Sequence, residues 1–169
     1  MSGERKRILW VEDSARFDLA KIVGPIYRAR QFHLSLAEDA TSAVRMLSSN
    51  TFDVVIMDIR IPPGEDEFWI KRYQDNGSDA SQAKLGLLVL RWLFDKSWEY
   101  RADLPHPPLW VNTVQFAVFS VERENEIGED LKKLGIATYQ EKVPGSGSDV
   151  LLKLIDRVLK NQKPGEDGS

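Results

Sequence analysis

The chain has 169 residues, a length that suffices for one folded domain with its own core. Its 42% hydrophobic and 29% charged residues are typical of a globular protein and exclude a disordered or fibrous chain. The net charge of −3 excludes a broad positive surface for nucleic-acid phosphates, and the absence of cysteine excludes disulfides, thiol nucleophiles and cysteine-ligated zinc.

The same features predict where the protein works. A chain without cysteine fits a reducing compartment. The apolar run at residues 8–11 is too short for a signal peptide or a membrane span. We therefore expect a cytoplasmic protein that binds neither a membrane nor, directly, a nucleic acid.

Short apolar runs alternate along the chain with segments in which apolar residues recur at helical spacing. In chain order they predict strand 8–11, helix 17–27, strand 32–36, helix 40–47, strand 54–57, helix 85–93, strand 114–121, helix 126–134, strand 136–140 and helix 150–159. Residues 54–57 (VVIM) are the most continuous apolar run of the first half, which favours a central strand.

Alternating strands and helices predict an α/β protein with a doubly wound, five-stranded parallel sheet, flanked by helices as a three-layer α/β/α sandwich. We expect one domain at residues 1–160 and a polar C-terminal tail at residues 161–169. The 62 positions from Asp58 to Ser120 exceed the roughly 30 residues of a strand-helix-strand unit, so we expect insertions at about 65–83 and 95–111.

Polar side chains follow four of the predicted strands. They are Glu12, Asp13, Asp58, Ser120 and Lys142. The carboxyl ends of parallel strands meet at one edge of a sheet, so these groups are expected to lie together. Each close pair of carboxylates costs about 4 kcal/mol at 4 Å, which predicts a bound cation. Oxygen donors without cysteine favour Mg²⁺ over zinc.

In combination, these residues resemble the receiver domain of two-component response regulators, from residue 7 to residue 159. The resemblance rests on ILWVEDS at residues 8–14, DVVIMDIRIP at residues 53–62, Ser120, and Tyr139 three residues before Lys142. It implies a flavodoxin-like fold of the receiver type.

The resemblance also implies a chemistry for the acids. Asp58 would accept a phosphoryl group from a phosphohistidine on a histidine kinase or phosphotransfer protein. Mg²⁺ would lie on Asp13, Asp58 and the backbone carbonyl of Arg60, with Glu12 acting through water. The chain would be a stand-alone phosphoacceptor rather than an enzyme, assisting its own phosphorylation and dephosphorylation.

By the same resemblance, Lys142 and Ser120 would contact the phosphoryl oxygens. Ser120 would move toward the new oxygens and Tyr139 would fill the vacated space, which changes the surface presented to a downstream effector protein. The 65–111 region is rich in aromatic residues, and Trp69, Trp98 and Trp110 are candidates for a partner or homodimer surface. Packing of these rings onto the domain itself is the equally open alternative.

Two other functions remain open from the sequence. One is a receiver-like interaction or dimerisation module that works without phosphorylation, through the aromatic insertion. The other, ranked last, is an aspartate-nucleophile phosphatase, which would need a second acid two residues after Asp58, where Arg60 stands. Taken singly, each acid is better explained as a helix or turn cap.

Overall fold

The computed structural model describes residues 5–13, 24, 32–75, 83–143 and 149–162. The strands are β1 (Lys6–Val11), β2 (Phe32–Ala37), β3 (Val54–Met57), β4 (Phe116–Ser120) and β5 (Thr138–Glu141). The helices are α1 (Ala40–Ser49), α2 (Glu67–Gln74), α3 (Leu85–Phe94), α4 (Glu124–Leu134) and α5 (Val150–Gln162).

The five strands form one parallel sheet in the order β2-β1-β3-β4-β5. Val11 pairs with Met57, so β1 and β3 end level; Met57 pairs in turn with Val118, and β4 continues two residues further, to Ser120. The chain leaves β1, β3, β4 and β5 at the same edge of the sheet. The predicted fold class, a doubly wound five-stranded parallel sheet, is confirmed.

Both faces of the sheet are buried, and the alternation of side chains along β1 shows how. Leu9 and Val11 belong to a core formed with α1, α2, α3 and α4. Ile8 and Trp10 belong to a second core, formed with α5. All four side chains are at most 1% exposed, which accounts for the unbroken apolar run in this strand.

Most predicted elements are confirmed to within three residues at their ends. β3 has the predicted bounds, while β4 begins later than predicted because Thr113–Gln115 forms a 3₁₀ turn capped by Asn112. The last helix reaches Gln162, so residues 161–162 of the expected tail are helical. The predicted helix at 17–27 lies outside the described residues, Gly24 excepted.

The two expected insertions contain ordered structure. The first holds a helix that the charged sequence did not predict, α2, with Asp66 as its N-cap. The second holds a short 3₁₀ helix at Arg101–Asp103. Among the described helices, none combines the length and the apolarity needed to cross a bilayer.

The tryptophans of this region pack inside the domain. Trp69 is 0% exposed and Trp98 is 7% exposed, and the ring of Phe68 contacts both edge-on. The prediction that Trp69 and Trp98 form a partner surface is therefore wrong, because their rings are covered by the chain itself. Trp110 is partly buried and donates from Nε1 to the Leu47 carbonyl at 3.2 Å; its partner role stays a prediction.

Candidate functional site

Three charged side chains meet where β1, β3 and β5 end. Glu12 is 3% exposed and Asp58 is 5% exposed. Lys142 bridges them: its Nζ donates to Asp58 Oδ2 at 3.0 Å and also to Glu12 Oε2. Three of the predicted site residues are therefore brought together, although 130 positions separate the first from the last.

Backbone hydrogen bonds of the sheet, continued one residue beyond the strands, place each of these groups. The amide of Glu12 donates to Ala37 O at 2.9 Å, and the amide of Asp58 donates to Val11 O at 3.0 Å. The amide of Lys142 donates to Ser120 O at 2.7 Å. The geometry of the cluster thus follows directly from the strand order.

Burial and like charge act together on Glu12. Burial, and then repulsion from Asp58, raise the pKa of Glu12 from 4.5 to about 7, although Lys142 opposes the shift. Burial works to lower the pKa of Lys142, but attraction to Asp58 and Glu12 outweighs it, and that pKa lies above 10.5. Among the described residues, one ammonium thus serves two carboxylates.

A glycine outside the predicted site fixes the other side of Asp58. Gly86, in the first turn of α3, donates its amide to Ile59 O at 2.8 Å. A Cβ atom at Gly86 would lie 1.9 Å from the backbone oxygen of Asp58, so only glycine fits. A lone glycine inside a helical pattern is the sequence signal for such a close approach.

The carboxylate of Asp58 is held at both oxygens. Besides the bond from Lys142 to Oδ2, Oδ1 accepts the amide hydrogen of Ile59 at 2.7 Å. Fixing both oxygens restricts the carboxylate to one orientation, with its backbone pinned against α3 by Gly86.

The two predicted switch residues lie on the neighbouring strands. Ser120 is fully buried at the end of β4, and its hydroxyl accepts the amide hydrogen of Glu122 at 3.2 Å. Tyr139 of β5 pairs with Val118 and packs against the core that contains α1 to α4. Its Oη is buried and has no hydrogen-bond partner among the described residues, and burial raises the pKa of Tyr139 to about 12.

A second ion pair joins the loops that follow β3 and β4. The side chain of Arg60 binds Glu122, which is only 1% exposed. Burial alone would raise the pKa of Glu122, but the hydrogen bond from Arg60 and the positive charge of that guanidinium outweigh it and lower that pKa. Glu122 was not among the predicted site residues. For Arg60 the prediction concerned only its backbone carbonyl, as a metal ligand, whereas its guanidinium forms this ion pair.

The predicted grouping of all three acids is only partly found. Within the described ranges, no three acidic or histidine side chains are gathered closely enough to cage a metal ion. Asp13 follows Glu12 in the turn after β1 and is exposed, whereas Glu12 and Asp58 point inward. The residues nevertheless fit Mg²⁺ in donor type and in charge, because Glu12 and Asp58 offer buried carboxylate oxygens with only Lys142 between them.

The chain matches no family model and no curated protein. Three of the solved structures with a similar backbone are the chemotaxis response regulator CheY4 of Vibrio cholerae, a CheY-like receiver domain protein from Methanospirillum hungatei, and the receiver domain of the Francisella response regulator 1452.

In each comparison the similarity extends over nearly the whole length of both chains. The Vibrio protein is 18% identical, with 92% of this chain and 100% of that chain covered and a TM-score of 0.57. The Methanospirillum protein is 17% identical, with 96% and 100% covered and a TM-score of 0.57. The Francisella domain is 18% identical, with 94% and 100% covered and a TM-score of 0.56. The chain therefore has the fold of the CheY-like receiver domains of response regulators.

Proposed function

We propose that this chain is a receiver of a two-component phosphorelay that accepts a phosphoryl group on Asp58. The observation that carries the proposal is the state of that carboxylate: buried, held at one oxygen by Lys142 and at the other by the Ile59 amide. It lies at the carboxyl edge of a receiver-type sheet, where α/β folds place their ligands.

The transfer is a nucleophilic displacement at phosphorus. An Asp58 carboxylate oxygen forms the new bond to phosphorus while the bond from phosphorus to the donor's imidazole nitrogen breaks, and the imidazole keeps that electron pair. Lys142 lies against Oδ2 and neutralises charge on the phosphoryl oxygens. Asp13, Asp58 and the Arg60 carbonyl, with Glu12 through water, would hold Mg²⁺, which would supply further positive charge to the phosphoryl group.

The proposed output is a change of surface. A phosphoryl group on Asp58 offers Lys142 strong new acceptors in place of its present carboxylate partners. It also offers an acceptor for the hydroxyl hydrogen of Ser120, whose oxygen accepts from the Glu122 amide. Movement of Ser120 opens space for the Tyr139 ring, whose hydroxyl has no partner that ties it to its present position among the described residues. A downstream effector protein in the cytoplasm reads the result.

The alternative of a phosphorylation-independent interaction module loses its main support. It required the aromatic insertion to present its rings to a partner, and Trp69 and Trp98 are covered by the domain. The buried charges around Asp58 are costly to stability and have no role in such a module.

Intact mass measured after incubation with acetyl phosphate and Mg²⁺ tests the proposal. We expect wild type to gain one phosphoryl group, base-labile and acid-stable, and Asp58→Asn to gain none. Asp103→Asn, which changes an exposed carboxylate in the 3₁₀ helix at Arg101–Asp103, should behave as wild type. A wild type that gains nothing, or an Asp58→Asn variant that gains as much as wild type, overturns the proposal.

A further inference from the structure

A shallow cleft lies at the edge of the sheet opposite to Asp58, where β1 begins and α1 ends. Its volume is about 300 Å³, and it is lined by Arg7, Trp110 and the polar residues 48–51. In this parallel sheet the strands begin at the edge that carries the cleft, whereas Asp58 follows the end of β3 at the other edge. No residue of the cleft has a part in the proposed phosphorylation, so its ligand must be inferred separately.

Phe52 holds the two large side chains of the cleft in place. It is 4% exposed, and the guanidinium of Arg7 lies 5.4 Å from the centroid of its ring. The ring of Trp110 meets Phe52 edge-on, with 6.0 Å between centroids, and Trp110 Nε1 donates to the Leu47 carbonyl at 3.2 Å. An arginine and a tryptophan that are already held in position lose little conformational entropy on binding. These two residue types are also enriched among the residues that dominate binding energy at protein interfaces.

The positive charge beside this cleft has no ionic partner. Arg5, Lys6 and Arg7 are consecutive, and none of the three has an ion pair among the described residues. The guanidinium of Arg7 donates to the amide oxygen of Asn50 at 3.4 Å, which is a long and neutral contact. The carboxylate of Asp53 accepts the backbone amide hydrogen of Arg7, at 2.7 Å, rather than a bond from the guanidinium. The charge of Arg7 is therefore available to an anionic group.

An exposed apolar side chain stands next to Trp110 in the chain. Leu109 is 93% exposed, the largest fraction of any large apolar side chain in the described ranges. Trp110 itself is half-buried, so part of its ring also remains open to a ligand. The surface thus joins a cation, polar groups and apolar area, which is the composition of a protein-binding surface rather than of a small-molecule pocket.

We propose that the surface formed by Arg7, Leu109 and Trp110 docks an acidic peptide segment of a partner protein, in which a carboxylate lies close to an apolar side chain. The carboxylate binds the guanidinium of Arg7, and the apolar side chain packs against Leu109 and Trp110. Charge complementarity selects this occupant, because three consecutive cations without an ion pair favour a segment with several acids. The inference does not depend on phosphorylation of Asp58, and a partner docked here leaves the carboxyl edge of the sheet uncovered.

Titration with a short synthetic peptide, made of glutamates around a central leucine and blocked at both ends, tests this surface by NMR. The indole N–H signal of Trp110 reports on the cleft directly, and its loss in Trp110→Phe identifies it among the five tryptophans. We expect the glutamate peptide to shift this signal and to bind about tenfold more tightly than the same peptide with glutamines. The difference should narrow as salt is added, because salt screens the attraction between exposed charges.

Two variants separate the contributions of charge and of apolar contact. Arg7→Gln should weaken binding of the glutamate peptide about five- to tenfold, and Leu109→Ala about threefold. The matched control is Arg123→Gln, which removes an exposed arginine at the start of α4, at the opposite edge of the sheet, and should leave binding unchanged. Leu109→Ala removes a side chain outside the core, so it keeps the test decisive if Arg7→Gln does not fold.

A glutamate peptide that leaves the Trp110 signal unmoved, equal binding of the two peptides, or equal effects of Arg7→Gln and Arg123→Gln overturn the inference. Two other occupants are recognised without any peptide. If Glu166→Gln combined with Asp167→Asn shifts the Trp110 signal, the acids of the chain's own C-terminal tail occupy the cleft. If the signal shifts as the protein is concentrated, a second copy of the chain occupies it. Either result overturns a partner protein as the occupant, and neither bears on phosphorylation of Asp58.

Discussion

The carboxyl edge of the sheet and the aromatic segment beyond β3 both bury side chains, with opposite consequences for stability. At the edge, Glu12 and Asp58 are buried around one ammonium. In the aromatic segment, Trp69 and Trp98 are buried among other rings. Burying apolar rings stabilises the fold, whereas burying a surplus of charge destabilises it. A charged group whose burial destabilises the fold is therefore a better guide to function than a buried apolar ring.

The aromatic segment is built as a packing unit. The Phe68 ring lies edge-on to Trp69 at 4.9 Å and to Tyr100 at 6.1 Å between centroids. The guanidinium of Arg72 lies 4.0 Å from the centroid of Tyr100. These contacts tie α2 to the segment after α3, so the rings that suggested a partner surface instead hold the long segment onto the domain.

Replacement of Trp69 should have the largest effect, and this effect should be on the stability of the fold. Trp69→Ala removes a fully buried ring and is expected to lower the free energy of unfolding by about 4 kcal/mol. Urea denaturation measures the loss. Leu109→Ala, in the same segment but 93% exposed, should change the free energy by less than about 0.5 kcal/mol. A loss at Trp69 as small as that at Leu109 contradicts the packing role.

The contact between α3 and Asp58 allows a pair of glycine substitutions with opposite expected signs. Gly86→Ala places a methyl group 1.9 Å from the Asp58 carbonyl oxygen, so we expect a loss of about 2 kcal/mol and slower phosphorylation. Gly128→Ala in α4 meets Glu124 at an ordinary 3.6 Å and should gain about 0.5 to 1 kcal/mol from helix propensity. Equal effects at both positions would show that α3 is free to shift away from Asp58.

Glu12 gives the edge of the sheet a pH dependence that the aromatic segment lacks. Its pKa is raised from 4.5 to about 7 on folding, so the folded state binds the extra proton. The stabilisation from this proton is fully present below pH 4.5 and is lost as the pH rises through 7. Glu12→Gln cannot ionise, and between pH 4.5 and 8 it should gain up to about 2 kcal/mol relative to wild type.

Urea denaturation of both proteins at several pH values measures this difference. Since Lys142 remains beside Asp58 in the variant, the comparison isolates the Glu12 carboxylate. A difference between the two proteins that stays constant from pH 4.5 to 8 would mean that Glu12 ionises in the folded protein as it does in the unfolded chain.

The sequence predicts most of the architecture because the residues at which a strand ends can be recognised from the local sequence. The apolar run at residues 54–57 ends abruptly at Asp58, and once parallel pairing is inferred, the ends of β1, β3 and β5 must lie at the same edge of the sheet. That is why the convergence of Glu12, Asp58 and Lys142 is predictable without coordinates.

What the sequence leaves open depends on tertiary packing. Tryptophans suit both a core and an interface, so composition alone does not decide where Trp69 lies. Lys84 follows a segment without apolar period, and no sequence pattern marks its positive φ. Asp13 is exposed although it follows the buried Glu12. This difference likewise depends on the conformation of a single turn, which no sequence pattern predicts.

Tyr139 should show the smallest effect, because it combines the two kinds of burial in one side chain. Its ring packs in the apolar core, while its buried hydroxyl has no partner in the described part of the chain. Tyr139→Phe keeps the ring and removes the unsatisfied oxygen, so the free energy of unfolding should rise by about 0.5 kcal/mol or stay unchanged. Urea denaturation measures the change, and Tyr139→Leu, which loses the ring, is the contrasting variant.

Because the proposed switch moves the ring rather than the hydroxyl, Tyr139→Phe should also accept a phosphoryl group from acetyl phosphate at the wild-type rate. A loss above about 1 kcal/mol would instead mean that the hydroxyl contributes a hydrogen bond to the folded protein.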